Sequence, residues 1–220
     1  MAYTTKLDAC INRFDHQINI MKKYINLVWK PLVKTQDKKL LKFASESLIV
    51  RAVAFIEEYL SCLVGLASVN EEKLARDYFK NHGNPETQEQ VKKGCNLGLL
   101  WKYTATEVSF KNNAKKLKRI FNHLFSFSPF PDNETENLIL DAVLIRNVIL
   151  HEGSMPSENY AKQMRNKGII IVIDVILQSK FYDIELIENR VIINFFNAFS
   201  KLASYIQEKL KKDSRFSYMV

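Results

Sequence analysis

The sequence predicts a mainly α-helical fold, a bundle of long helices with one small β-hairpin before the last of them. Only six glycines and five prolines punctuate the 220 residues, far fewer than a sandwich or barrel with a turn about every 8–12 residues requires. Apolar residues recur at spacings of three and four through most of the chain, which marks single helix faces. One β-branched run, Ile169 to Ile173 after Gly168, leaves that period and suits a strand. An apolar content of 47% with 25% charged residues is that of a chain with a packed core. No Pro-, Gly- or Ser-rich linker divides it, so residues 1–220 read as a single domain.

The elements follow in order. Leu7, Ile11, Phe14, Ile18, Met21, Ile25, Val28 and Leu32 fall on one stripe of a first helix, residues 5–32, which Pro31 ends. A second helix from Lys38 to about Ala67 carries Leu40, Leu41, Leu48, Ile56, Tyr59, Leu60, Leu63 and Leu66, with Arg51, Glu57 and Glu58 among them. Asn70 then N-caps a short helix through Lys80, and His82-Gly83-Asn84-Pro85 breaks it. From Gln88 to Phe110, Gly94 and Gly98 interrupt the pattern, giving a short helix and a loop.

Between Asn113 and Phe127 a helix sets Leu117, Ile120, Phe121, Leu124 and Phe125 opposite the basic run Lys115, Lys116, Lys118 and Arg119, and Pro129 and Pro131 stop it. Asn133 and Glu136 have capping-box spacing, and the nearly continuous apolar character of Leu138 to Leu150 predicts a buried helix through His151, stopped by Gly153. After a polar stretch with helical character from Ser157 to Arg165, the strand at Ile169 to Ile173 pairs with one containing Phe181, Ile184, Leu186 and Ile187. Asn189 caps a last helix through Lys212, with Val191, Ile192, Phe195, Phe199, Leu202, Tyr205, Ile206 and Leu210 facing inward. The domain thus comprises an N-terminal helix (5–32), a core bundle (38–153), and a hairpin with a C-terminal helix (168–212).

A formal charge of +8 points to an anionic partner, nucleic acid first, because neutralising phosphates releases counterions. Cys10, Cys62 and Cys95 lack metal or redox spacing and read as reduced core thiols of a cytoplasmic protein. The first residues hold no apolar signal core, and the later apolar runs carry Asp141, Arg146 or Asp174, so neither secretion nor membrane insertion is expected. His16, His82, His123 and His151 show no ligand spacing for zinc, and no Gly-rich loop cradles a phosphate. The expectation is a protein without metal or cofactor.

Arg146 and His151 stand out as ionisable residues in a helix otherwise built of Leu, Ile and Val. A buried guanidinium must be paired or face a cleft. At about 100° per residue Asn147 and His151 share nearly one face with Arg146 beside them, so all three can border one pocket at the helix end.

This stretch, Arg146, Asn147, three apolar residues, His151 and then Glu152-Gly153, resembles the HEPN superfamily, whose motif is Arg, a polar residue that is often Asn, and a His after four to six intervening positions near the end of a buried helix. The likeness extends to the long amphipathic helices, a glutamate-bearing second helix at Glu57-Glu58 and a long final helix, over roughly residues 40 to 210. Arg76 and His82 also meet the looser spacing, but on a polar helix and without the right residue after Arg.

The resemblance implies an HEPN-like bundle and metal-independent endonucleolytic cleavage of RNA by attack of the ribose 2′-hydroxyl on the adjacent phosphate. His151 is then the general base or acid, Arg146 stabilises the transition-state charge, and Asn147 orients the histidine or the phosphate. Glu57 and Glu58 become orienting or structural residues, and Lys115, Lys116, Lys118 and Arg119 extend the RNA surface. It further implies a homodimer with a composite site and a toxin–antitoxin or antiphage role with an antitoxin or defence partner. A second reading is a non-catalytic helical interaction or nucleic-acid-binding domain, in which Arg146 pairs with a core carboxylate such as Glu57 or Glu58 and His151 closes the helix.

Overall fold

Helical periodicity dominates the computed structural model, which describes residues 4–35, 37–108, 114–152, 157–159, 161–162, 171–176, 179–184 and 191–216. The protein is mainly helical. Helix α1 (Thr4–Tyr24) passes into a π-helical turn (Ile25–Trp29) and on into α2 (Lys30–Thr35). Pro31 therefore does not end the first helix, contrary to the sequence expectation. Its ring needs room beside the carbonyl four residues back. The wider π turn, in which Lys30 N–H donates to Ile25 O, supplies that room. The extra residue in that turn also shifts the buried stripe. Phe14, Ile18, Met21 and Ile25 face inward as expected, but the next inward residue is Trp29 (5% exposed) and not Val28 (38%).

Helix α3 (Lys38–Asn70) starts at Asp37, whose carboxylate accepts the Leu40 N–H at 3.0 Å. Asn70 closes α3 and does not cap the next helix. Helix α4 (Glu72–His82) begins after Glu71, which makes no side-chain cap. The stretch read as one short helix and a loop holds two helices, each with a physical signal. Asn84 caps α5 (Pro85–Lys92) by accepting the Thr87 N–H at 2.9 Å, with Pro85 pre-set for the first turn. Gly94, at φ 75°, ends it in the left-handed region, with Cys95 N–H returning to Gln90 O at 3.1 Å. Asn96 caps α6 (Leu97–Thr106) through the Leu99 N–H at 3.0 Å.

Helix α7 (Ala114–Phe125) stops two residues before the expected Phe127. Ser126, at φ 61°, turns the chain before the prolines are reached. Helix α8 (Asn133–Glu152) is capped by Asp132, one residue ahead of the predicted Asn133, because the Asp132 carboxylate accepts the Thr135 N–H at 2.7 Å. Strands β1 (Ile171–Ile176) and β2 (Ser179–Ile184) pair antiparallel with Ile171 opposite Ile184. Helix α9 (Val191–Lys212) closes the order. Asn113, Gly153, Arg165, Gly168, Ile169, Leu186, Ile187 and Asn189, and the side chains of Leu7, Cys10, Ile11 and Val191, lie outside the described residues.

The chain divides into two compact units. One comprises Met1–His16, Phe55–Pro131 and Lys201–Val220. Its core includes Tyr59, Phe79, Leu100, Ile120, Phe121 and Phe216, each less than 2% exposed. Burying each such side chain contributes about 1.5–3 kcal/mol. Phe14 stacks on Tyr59 with ring centroids 4.1 Å apart. Gly65 of α3 lies under the Trp101 indole of α6, and a Cβ there would come within 2.5 Å of Trp101 Nε1. Gly65→Ala is therefore expected to displace the indole. Overpacking costs about 1–3 kcal/mol, more than the roughly 1 kcal/mol gained in helix propensity. A lower melting temperature and a red-shifted tryptophan emission check this.

Arg215 clasps the end of the same unit. Its guanidinium donates to both Asp213 carboxylate oxygens, at 3.1 and 2.7 Å, and to Leu124 O at 3.2 Å. The hydrogen bond from Arg215 holds the Asp213 carboxyl below its usual range, against the opposing effect of burial. A depressed carboxyl pKa stabilises the fold above the unfolded value and loses that contribution as pH falls through the folded one. Asp213→Asn should therefore lower stability by about 1 kcal/mol at neutral pH. The difference from wild type should vanish in acid below the ordinary aspartate range, measured by urea unfolding as a function of pH.

The other unit comprises Gln17–Ala54 and Asp132–Ser200. Trp29 Nε1 donates to the buried Ser45 Oγ at 2.9 Å, tying the π turn to α3. Leu48, Ile49 and Ala52 of α3 and Ile192, Phe195 and Phe199 of α9 face one another across a void of about 10 Å³. Residues 39–70 of α3 are long and apolar enough to cross a bilayer, and two thirds of the most apolar stretch is buried inside the protein.

Candidate active site

The last turns of α8 sort their side chains by helical phase. Ile139, Ala142, Val143, Ile145 and Val148 are buried, Arg146 and Asn147 are half-buried, and Leu150 and His151 are exposed. Asn147 and His151 are four residues apart and so lie on one face, one turn above the other. Arg146 precedes Asn147 on the adjoining flank. Both Arg146 Nε and Asn147 Oδ1 are shielded from solvent, and Asn147 Oδ1 accepts no hydrogen bond among the described residues. Such an orphan acceptor costs roughly 1–3 kcal/mol. One helix thus presents an exposed imidazole next to a carboxamide with an unused, sheltered acceptor and a part-sunken guanidinium. This set can exchange a proton, accept a hydroxyl and neutralise an anion.

Of the other residues singled out in the sequence, Glu57 and Glu58 lie on the α3 segment of the first unit. Glu58 is ion-paired with Arg13 of α1 at 3.0 Å, and Glu57 is half-buried. The basic run of α7 divides by role. Lys115 and Arg119 are exposed, and the Lys118 ammonium lies 5.8 Å from the Phe130 ring centre. Lys116 engages the carboxylate of Glu107, whose side chain is fully buried. Glu107 also accepts the Asn84 N–H at 2.7 Å, so one buried charge joins the α4–α5 turn, the end of α6 and α7. Lys116 is thereby the cation that neutralises an inaccessible carboxylate, while its own side chain stays partly exposed.

One further group was not singled out in the sequence. Tyr78 of α4 lies between His82 and His123, with ring centroids 4.9 and 4.7 Å away. Burial pushes the Tyr78 phenol up, Arg119 opposes this, and Glu107 adds to it. His123 Nε2 is 3.2 Å from Leu74 O. The available signal was a pair of four-residue spacings, Tyr78 to His82 and Arg119 to His123. The Arg76 guanidinium is committed to Glu72 at 2.8 Å and to Cys95 O at 2.5 Å. That commitment accounts for the neighbouring Arg76–His82 spacing as structure. Neither Cys62 nor Cys95 is in a disulfide. Among the described residues no three His, Cys, Asp or Glu side chains converge as a metal site requires. No family model, curated protein or solved structure matches this chain.

Proposed function

We propose that this protein is an endoribonuclease of the HEPN type, its helical bundle and hairpin an HEPN-like fold, and that it works without a metal as a homodimer. The observation that carries the reading is the end of α8, where exposed His151 stands one turn beyond half-buried Arg146 and Asn147. In the proposed reaction His151 takes the proton of a ribose 2′-hydroxyl. The 2′-oxygen attacks the adjacent phosphorus, and the bond to the 5′-oxygen breaks to leave a 2′,3′-cyclic phosphate. Arg146 offers planar donors to the phosphoryl oxygens as charge builds in the pentacoordinate transition state. Asn147 Oδ1 is a ready acceptor for the hydroxyl or for the imidazole N–H.

The leaving 5′-oxygen needs a proton from a second acid. An isologous dimer supplies one from His151 of the second copy with no further residue. Leu150, 53% exposed beside His151, supplies apolar surface for such a contact. Cytoplasmic RNA cleavage in a toxin–antitoxin or antiphage setting, checked by an inhibitor or defence partner protein, is the biological role we attach to this chemistry.

The test is cleavage of single-stranded RNA by the purified protein in EDTA, compared with Arg146→Lys and His151→Ala. Wild type should cut, both variants should fail, and circular dichroism should show all three folded alike. Wild type inert on every RNA tried, or His151→Ala as active as wild type, would sink the enzyme in favour of a non-catalytic binding domain.

A further inference from the structure

A cleft of about 170 Å³ opens in the second unit where the π turn faces α9. Its floor is the buried Ile25 and the half-buried Phe196, and its rim carries the exposed side chains of Lys22, Asn26, Lys30 and Asn197. The rim has a helical origin on both sides. Lys22, Asn26 and Lys30 are spaced by four, and Asn197 follows Phe196 on α9. The π turn contributes Ile25 and Asn26 to the lining, and such turns recur at binding sites. Lys30 Nζ donates to Asn26 Oδ1 at 2.8 Å, which fixes the carboxamide and leaves its Nδ2 free to donate. Among the described residues no carboxylate lines the cleft.

We propose that this cleft binds one unstacked nucleotide of single-stranded RNA, a subsite that rests on the RNA reading above. Three features select that occupant. The volume is below the roughly 300 Å³ at which pockets begin to enclose a whole drug-sized ligand, so it admits a fragment such as one base. An apolar lining with an aromatic ring suits the face of a base, and the carboxamides of Asn26 and Asn197 offer hydrogen bonds to its edge. Lys22 and Lys30 complement the flanking phosphates, in a chain of net charge +8. A duplex keeps its bases stacked and cannot present one to the floor.

The test is fluorescence anisotropy of the full chain with a labelled 2′-O-methyl oligonucleotide, which has no 2′-hydroxyl to attack and so reports binding alone. Asn26→Ala with Asn197→Ala should weaken binding about tenfold, about 1.4 kcal/mol, without changing its salt dependence. Lys22→Ala with Lys30→Ala should weaken it and flatten the slope of log K against log salt by about 1.4, or ~0.7 per phosphate contact. A 4-thiouridine probe should crosslink to peptides carrying Asn26 or Asn197. Unchanged affinity in the asparagine pair overturns the proposal, as does a mononucleotide that binds as tightly as the oligonucleotide, which makes a free nucleotide the ligand. His151→Ala should bind the probe like wild type. Lost cleavage with intact binding therefore bears on the active site, and lost cleft dependence with intact cleavage bears on the subsite alone.

Discussion

His151→Ala is expected to lower the rate of RNA cleavage in EDTA by about 10²–10⁴-fold, the usual contribution of a positioned general acid or base. His151 is exposed in the last turn of α8, so its removal uncovers no core and should leave the melting temperature within about 1 °C of wild type, as for other surface substitutions. The separation of a large kinetic effect from a negligible stability effect is what distinguishes catalysis from helix capping. Arg146→Lys is the companion experiment. It keeps the charge and removes the planar fork, so cleavage should fall by about 10²–10³-fold with substrate affinity less affected. In a composite dimer site that draws base and acid from two copies of His151, mixing excess His151→Ala into wild type should lower the activity by trapping wild-type chains in heterodimers that lack one of the two imidazoles. A monomer by sedimentation that still cleaves would refute the shared site.

Lys116→Met should give the largest loss of stability. Glu107 is fully buried as a side chain, and Lys116 is its cation. Removing one partner of a buried pair strands the other charge, at a cost of about 3–5 kcal/mol. For a chain of this size that corresponds to a melting temperature roughly 6–20 °C lower, at about 2–4 °C per kcal/mol. Glu107→Gln on top of Lys116→Met should recover most of the loss, because the amide still accepts the Asn84 N–H while no charge remains to be neutralised. Urea midpoints of the wild type, the two single variants and the double variant form the cycle. Loss of less than about 1 kcal/mol in Lys116→Met, in the range of exposed pairs, would show that the carboxylate is hydrated and the node unimportant.

The helical character was legible in the sequence because apolar spacing is a local property. The stripes of α7 and α9 are buried much as their spacing predicts, from Leu117 to Phe125 and from Ile192 to Leu210. The ends of elements were less legible, since they depend on which of several competing signals wins. Asp132 outcompetes Asn133 as a cap, and Ser126 turns the chain ahead of two prolines. Pro31 was misread because a proline ends a regular α-helix, and a local pattern does not reveal a π turn that accommodates it. That same turn moves Trp29 inward and places Ile25 and Asn26 in the lining of the cleft.

By itself, then, the sequence determined a mainly helical chain, the faces that its helices bury, and the presence of Arg146, Asn147 and His151 together near one helix end, because residues within a few positions on a helix are neighbours whatever the rest does. Only the tertiary structure decided which charges are available to a ligand. Lys116 is drawn to Glu107 and Arg13 to Glu58 while His151 is left exposed. The pairs separated by nine and forty-five positions are set by packing, and a charge becomes structural or functional according to how much water packing leaves around it.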